Sequence, residues 1–315
     1  GLNSNEVDHE FKVKVNWNIN QNLLSKYKSF FSPNQKFSIN DFRLSFSGLE
    51  KFFIKNKYDA VLLCGWNKLI YLKAFFLAKK LKIKTILRVE TNLNLQISPI
   101  KRSIKYFILK HFFKYIDYFL YIGILNKNFF LEHGVPSKKL FISPYCVDNE
   151  YFKKKKINKN KLKKKLNLNY KIIILYVGKF IERKKPLDYL ELTKKFIHKK
   201  QVHFVMIGNG DLMHDCKKFI KKNFLDNVSI IGFKNQNELK NYYHISDLLI
   251  ITSKYETWGL VINEAMASGL PVIATKQCGA TEDLIKNAKT GYLYNHYELD
   301  KLFSNFNKFL NKIDL

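Results

Sequence analysis

Five short runs in the second half of the chain are almost wholly apolar instead of alternating: Ile172–Phe180 (IIILYVGKF), Val202–Gly210 (VHFVMIGNG), Asn227–Phe233 (NVSIIGF), Asp247–Ser253 (DLLIITS) and Pro271–Thr275 (PVIAT). A strand that is apolar on both faces must be covered on both faces, which calls for a parallel sheet between layers of helix. The intervening segments supply the helices, at about Pro186–His198, Leu212–Asn223, Asn237–His244, Gly259–Ser268 and Thr281–Asn287. The first half repeats the scheme with YDAVLLCGW (58–66), KTILRVE (84–90), DYFLYIG (117–123) and KLFISPYCVD (139–148), separated by helices such as Leu69–Leu81 and Ile100–Tyr115. Alternating strands and helices of this kind build an α/β sandwich.

Between the halves, Asn149–Lys171 loses hydrophobicity and gathers lysines, as a linker or surface helix would. The expected division is therefore 1–150 and 151–315, and 315 residues suit two domains. The region before Tyr58 fits less well. A Rossmann-like domain opens with a strand, a tight glycine turn and a helix, yet residues 1–57 contain only Gly1 and Gly48. The first domain is expected to lack its opening strand and glycine loop.

Net charge is +29, which brings nucleic acid and anionic membranes to mind. Of the 55 basic residues, however, only Arg43, Arg88, Arg102 and Arg183 are arginine. Duplex readers rely on arginine forks, so a solvated lysine surface outweighs a nucleic-acid-binding protein, which stays as a rival on charge alone. Cys64, Cys146, Cys216 and Cys278 lie far apart without a C-x-x-C pair, favouring neither zinc nor a disulfide framework and fitting a reducing cytoplasm. No apolar run reaches the roughly 18 residues of a membrane span.

The most informative stretch is SKYETWGLVINEAMASGLPV, Ser253–Val272. It reads as a strand end, a short loop and a helix closed by Gly269 and Pro271. A helix that starts just after a buried parallel strand points its unpaired N–H groups, those of Thr257, Trp258, Gly259 and Leu260, toward a ligand, and a diphosphate suits them. Glu264, one turn in, is placed for ribose hydroxyls, and Glu256 lies on the opposite side of the phosphates. A glycosidase pair fits poorly, because eight residues of helix span about 12 Å and such acids sit about 5–9.5 Å apart. Two unrelated surface glutamates are the plain alternative.

The stretch resembles the retaining GT-B glycosyltransferases of family 4, whose second domain carries S-x-x-E-x-x-G-x-x-x-x-E-A-x-A-x-G-x-P-V. Four more segments follow that family's order: YVGKFIERKKP, VMIGNGD, IIGFKNQNELKNYYHISDLLI and CGATEDLIKNAKTGYLY, the last with Asp283 where Glu is usual. The first half is similar to one branch of the family in FKVKVNWNINQNLLSKY, RVETNLN, YIGILNKNFFLEHGVP and SPYCVDNEYF.

The resemblance implies two Rossmann-like domains whose parallel sheets face each other across a cleft. It also implies a sugar transferred with retention from a nucleotide diphosphate, UDP or GDP, and no cofactor or obligatory metal. Gly178 and Lys179 match the family's G-R pair, and Lys184 its phosphate lysine; Lys179 keeps the charge but not the bidentate fork. Gly232 and Phe233 fall where the nucleobase is held, Glu264 at the ribose, and Glu256 at the donor sugar, with Glu256, Lys179 and Lys184 as the expected catalytic set. Trp258 reads equally as a packed aromatic. Glu90, in RVETN, is a candidate acceptor contact or a carboxylate paired with Arg88. The acceptor is expected to be a saccharide or a lipid-linked sugar, in surface polysaccharide or glycolipid synthesis. A rival is a catalytically silent fragment that keeps only the nucleotide pocket.

The helix SPIKRSIKYFILKHFFKYI carries an apolar set (Ile104, Phe107, Ile108, Phe112, Tyr115) and a basic set (Lys101, Arg102, Lys105, Lys110, Lys114). Covering a sheet with the apolar set is the favoured reading; resting on an anionic membrane leaflet is the alternative.

Overall fold

A computed structural model describes residues 7–8, 13–14, 46–94, 98–153 and 158–313. The segment FKVKVNWNINQNLLSKY, apart from a two-residue antiparallel pairing of β1 (Val7–Asp8) with β2 (Val13–Lys14), and the expected absence of an opening strand and loop lie outside the described residues. Gly1–Trp17 and Tyr145–Leu315 form one compact unit and Asn18–Pro144 another. The division therefore falls at Pro144, ahead of the expected 150. The reason is local: the Tyr145 ring packs 6.0 Å from that of Trp258, and Asp148 caps helix α5 (Asn149–Phe152) by accepting from the Tyr151 N–H.

In the unit Asn18–Pro144, helix α1 (Phe46–Asn56) precedes four parallel strands in sequential order, β3 (Ala60–Leu63), β4 (Lys84–Arg88), β5 (Tyr118–Tyr121) and β6 (Leu140–Ile142). Their connections carry α2 (Leu69–Lys80), α3 (Pro99–Phe113) and α4 (Ile124–Glu132). The core is aromatic, built on Phe113, Phe119, Phe129 and Phe130 with Leu63 and Leu87. Asp117, just ahead of β5, accepts from the N–H and the hydroxyl of Thr85 on β4 and from Lys79 at the end of α2. Burial pushes its carboxyl pKa up, but these three donors outweigh burial and hold it at about 2.

Helix α3 departs from expectation. Ile104, Phe107, Ile108 and, just past the helix, Tyr115 are exposed; of the expected set Phe112 alone packs against the core, beside the buried Leu109 and Phe113. The helix is apolar around more than half its circumference, while a sheet covers one stripe of it. The phase of Leu109 and Phe113, four residues apart, wins that stripe with Phe112 at its edge, and Ile104, Phe107 and Ile108 are left on the surface.

In the second unit, six strands are parallel in the order β12 (Gly291–Tyr294), β11 (Val272–Thr275), β10 (Leu248–Ile251), β7 (Ile172–Val177), β8 (Val202–Ile207), β9 (Val228–Gly232). Every residue of β7, β8, β10 and β11 is buried, as their nearly continuous apolar runs require, His203 and Thr275 included. Helices α7 (Pro186–Lys195), α8 (Met213–Lys222), α9 (Gln236–Ile245), α10 (Leu260–Ala267) and α11 (Thr281–Leu284) occupy the anticipated segments. Helix α11 stops short of Asn287 because the Thr290 hydroxyl takes the N–H groups of Lys286 and Asn287 into a turn. The lysine-rich stretch is no loose linker. Phe152 of α5 is buried, with its carbonyl accepting from His244 and Ser268, and α6 (Lys159–Lys165) sends Lys163 under the chain to the carbonyls of Tyr170 and Lys171.

Strand order runs outward from β7 through β8 to β9, then returns to the other side of β7 for β10. Open α/β sheets leave a crevice at such a reversal, beyond the carboxyl ends of the two strands. The loops that border it are Gly178–Lys185 and Thr252–Gly259.

Candidate active site

The loop after β7 is held by contacts only glycine permits. A Cβ on Gly208 would lie 1.8 Å from the carbonyl oxygen of Gly178, and one on Gly210 would lie 2.6 Å from that of Phe180. The bonds Gly178 N–H to Ile207 O and Phe180 N–H to Asn209 O fasten the two turns together, and the Tyr176 hydroxyl donates to the Lys179 carbonyl. Gly232 ends β9 beside them, its carbonyl accepting from the Gly208 N–H. It has φ +82, with open space where a side chain would stand, and Phe233 follows half-buried.

Glu256 occupies the crevice and is 6% exposed. Its Oε2 accepts from Arg183 Nη1 at 2.9 Å, and its Oε1 from Ser253 Oγ at 2.7 Å and from Lys184 Nζ. Arg183 also donates to the Tyr255 carbonyl and lies over the Tyr255 ring. Burial pushes the Glu256 carboxyl up, but Lys184, Arg183 and Ser253 outweigh it and the pKa is lowered. A buried carboxylate is thus kept ionised by two cations and a hydroxyl. Lys184, expected on the phosphates, is found on Glu256.

Helix α10 starts at Leu260, with Gly259 ahead of it at φ +101. Among the described residues the N–H groups of Thr257, Trp258, Gly259 and Leu260 meet no acceptor, and no side chain caps the helix. Four unpaired amides at one helix start form an anion site. Their backbone is braced from behind: Glu256 bridges Cys278 in parallel fashion, Gly279 N–H donates to the Glu256 carbonyl, and Ala280 N–H to that of Trp258. A Cβ on Gly279 would lie 2.0 Å from the Thr257 oxygen. The Trp258 side chain is buried, its Nε1 donating to Asn263, so it is packed and only its amide faces the site.

Glu264, on α10, accepts from the Tyr243 hydroxyl at 2.8 Å through Oε2 and only at 3.5 Å from Gln236 through Oε1. Burial raises its pKa. Oε1 therefore keeps capacity for a further donor. Glu90 belongs to the other unit, exposed just past β4 with Arg88 3.5 Å away.

One loop pair thus gathers Glu256, Lys184 and the Thr257–Leu260 amides, with Gly178 and Gly232 at neighbouring strand ends of the same sheet. Sequence reasoning missed Arg183, Ser253, Tyr243 and Gln236. Arg183 had a signal: it is one of four arginines in a chain whose other 51 basic residues are lysine. Among the described residues no three His, Cys, Asp or Glu side chains gather as a metal site requires, and no helix is long and apolar enough to cross a membrane.

Two α/β units with parallel sheets, one of them doubly wound with an uncapped helix start at its strand-order reversal, define a protein of the GT-B fold class. Solved structures agree: the Anabaena protein Alr3699/HepE in complex with UDP superposes with a TM-score of 0.71 at 16% identity, over 85% of this chain and 73% of that one. Residues 158–314, about half the chain, match the family described as Glycosyl transferases group 1, and the chain belongs to that family. An uncharacterized 41.2 kDa protein in the cps region of Klebsiella pneumoniae is 35% identical over 148 residues, 47% of this chain and 38% of that protein. The UDP-Gal:alpha-D-GlcNAc-diphosphoundecaprenol alpha-1,3-galactosyltransferase of Escherichia coli is 30% identical over 181 residues, 55% of this chain and 46% of that enzyme. These matches span less than half the length of either relative.

Proposed function

We propose that this protein is a retaining glycosyltransferase of family 4 that moves a sugar from UDP or GDP to a saccharide or lipid-linked acceptor in surface polysaccharide or glycolipid synthesis, at the cytoplasmic side of the membrane. The observation that carries this reading is the set of unpaired amides at Thr257–Leu260 beside the buried Glu256, Arg183 and Lys184. UDP in the Anabaena neighbour and the UDP-sugar named for the Escherichia coli relative support a uridine donor.

In this reading the amides and the cations of the β7 loop neutralise the leaving diphosphate, with no obligatory metal. Glu264 takes the ribose through its underused Oε1, and Gly232 leaves room for the base. The acceptor hydroxyl attacks the anomeric carbon on the face the phosphate leaves. The bond from that carbon to the phosphate oxygen breaks, and the departing phosphate takes the hydroxyl proton. Glu256, ionised and fixed by three donors, orients the sugar and balances its developing positive charge; it forms no covalent bond.

Calorimetry with UDP, GDP and ADP, followed by single-turnover assays with the matching sugar donors and product anomer analysis, tests the proposal. Failure of all three nucleotides to bind refutes the donor site. Binding without transfer to any acceptor favours the silent fragment, and an inverted product or a trapped adduct on Glu256 refutes the mechanism.

A further inference from the structure

Among the described residues of the unit Asn18–Pro144, three cavities that share residues end to end lie along helix α3. The first, about 430 Å³, opens past β3 and β4 between Trp66, Arg88, Glu90 and Lys105. The second, about 320 Å³, includes Lys105 again, with Arg102, Tyr106 and Phe107. The third, about 750 Å³, is apolar and runs from Phe107 over Phe76, Ile108, Phe112 and Tyr115. A polar, cationic end thus passes into a hydrocarbon-like groove within two turns of one helix, roughly 11 Å.

Both ends want a partner. Lys105 is half-buried, its ammonium 6.0 Å from the Trp66 ring centre, and among the described residues it meets no carboxylate. Among the described residues the acids at the rim are Glu90, held by Arg88, and the exposed Glu132; the sequences of α2 and α3 contain none. Burial lowers the Lys105 pKa, the cost of a cation without a counter-ion. At the other end Phe76, Phe107 and Ile108 are each 60% exposed or more, a contiguous apolar surface of the kind that marks an interaction site.

We infer that this unit binds its acceptor as an anionic amphiphile: the phosphate or diphosphate of a lipid-linked sugar lies against Lys105 and Arg102 beside Trp66, and the lipid chain runs along Phe107, Ile108 and Phe76. The word acceptor rests on the glycosyltransferase reading above; the binding site does not.

The test is calorimetry on the full chain with farnesyl diphosphate, farnesol and inorganic pyrophosphate, in the presence of whichever nucleotide diphosphate binds best. Farnesyl diphosphate is expected to bind at least tenfold more tightly than either half-molecule. Lys105→Gln and Phe107→Ser, which change a half-buried cation and an exposed ring outside the aromatic core, are each expected to weaken it about tenfold while leaving nucleotide affinity unchanged. Pyrophosphate binding as well as farnesyl diphosphate, farnesol binding as well, no binding of any of the three, or indifference to both substitutions each overturns the inference. Loss of nucleotide binding with farnesyl diphosphate binding intact sinks the donor site and leaves this one standing.

Discussion

Glu256→Gln separates the two demands placed on this carboxylate. In the resting protein it receives donors from Arg183, Lys184 and Ser253 while its side chain is 8% exposed, and the partners are 32% and 17% exposed. A hydrogen bond to a charged group contributes about 1.5–3 kcal/mol. The amide keeps one or two of the three, and solvent screens the partly exposed Arg183, so the loss is set at about 3 kcal/mol, the lower end for a broken buried pair. For a unit of this size that lowers Tm by about 6–12 °C. The same change frees two cations beside the amides of Thr257–Leu260, so UDP is expected to bind about tenfold more tightly, near 1.4 kcal/mol. Turnover is expected to fall by about 10²–10³-fold, as for loss of one oriented charge. Differential scanning calorimetry, UDP titration and donor turnover on one preparation read all three. Wild-type turnover, or UDP affinity falling in step with stability, refutes the reasoning. Acid should mimic the substitution. Because the folded pKa is lowered from 4.5, the stabilisation is complete above that value and is lost as pH falls through the lower folded one.

Asp117, held at about 2 against an ordinary 3.8, contributes stability above pH 4 that disappears as pH falls toward 2, and Asp117→Asn should flatten that window in acid unfolding curves. Gly279→Ala places a methyl 2.0 Å from the Thr257 oxygen; it is expected to cut UDP affinity by at least tenfold in calorimetry, because the phosphate amides must move. Glu264→Gln should abolish the preference for UDP over its 2′-deoxy analogue in competition binding. Tyr243→Phe should lower stability by about 1.5–3 kcal/mol in urea unfolding, since it strips a 2.8 Å donor from the buried carboxylate.

The second sheet was legible because both-face burial leaves an unmistakable signature: Ile172–Val177 and Val202–Ile207 can be little else than central parallel strands. The helix start at Gly259 was legible for the same reason, since it follows such a strand and is bounded by Gly269 and Pro271. Helix α12 (Leu299–Lys312) went unread, although Leu302, Phe306, Phe309 and Leu310 repeat at helical spacing and are buried. Helix α3 was misjudged because two apolar stripes compete on it, and only the tertiary fit of Leu109 and Phe113 decides which is buried. The distant partners of Glu256 and Glu264 were out of reach for a different reason, whereas Ser253 lies only three residues from Glu256. Arg183, Tyr243 and Gln236 sit 73, 21 and 28 positions away from them, and such pairings are fixed by strand order, not by local pattern.

The parallel bridge from Glu256 to Cys278 makes the loop after β10 and the loop after β11 a single mechanical piece. The amides of Gly279 and Ala280 are therefore natural reporters: a donor that draws Thr257–Leu260 tight should slow deuterium uptake behind the pocket, at peptide groups no ligand touches.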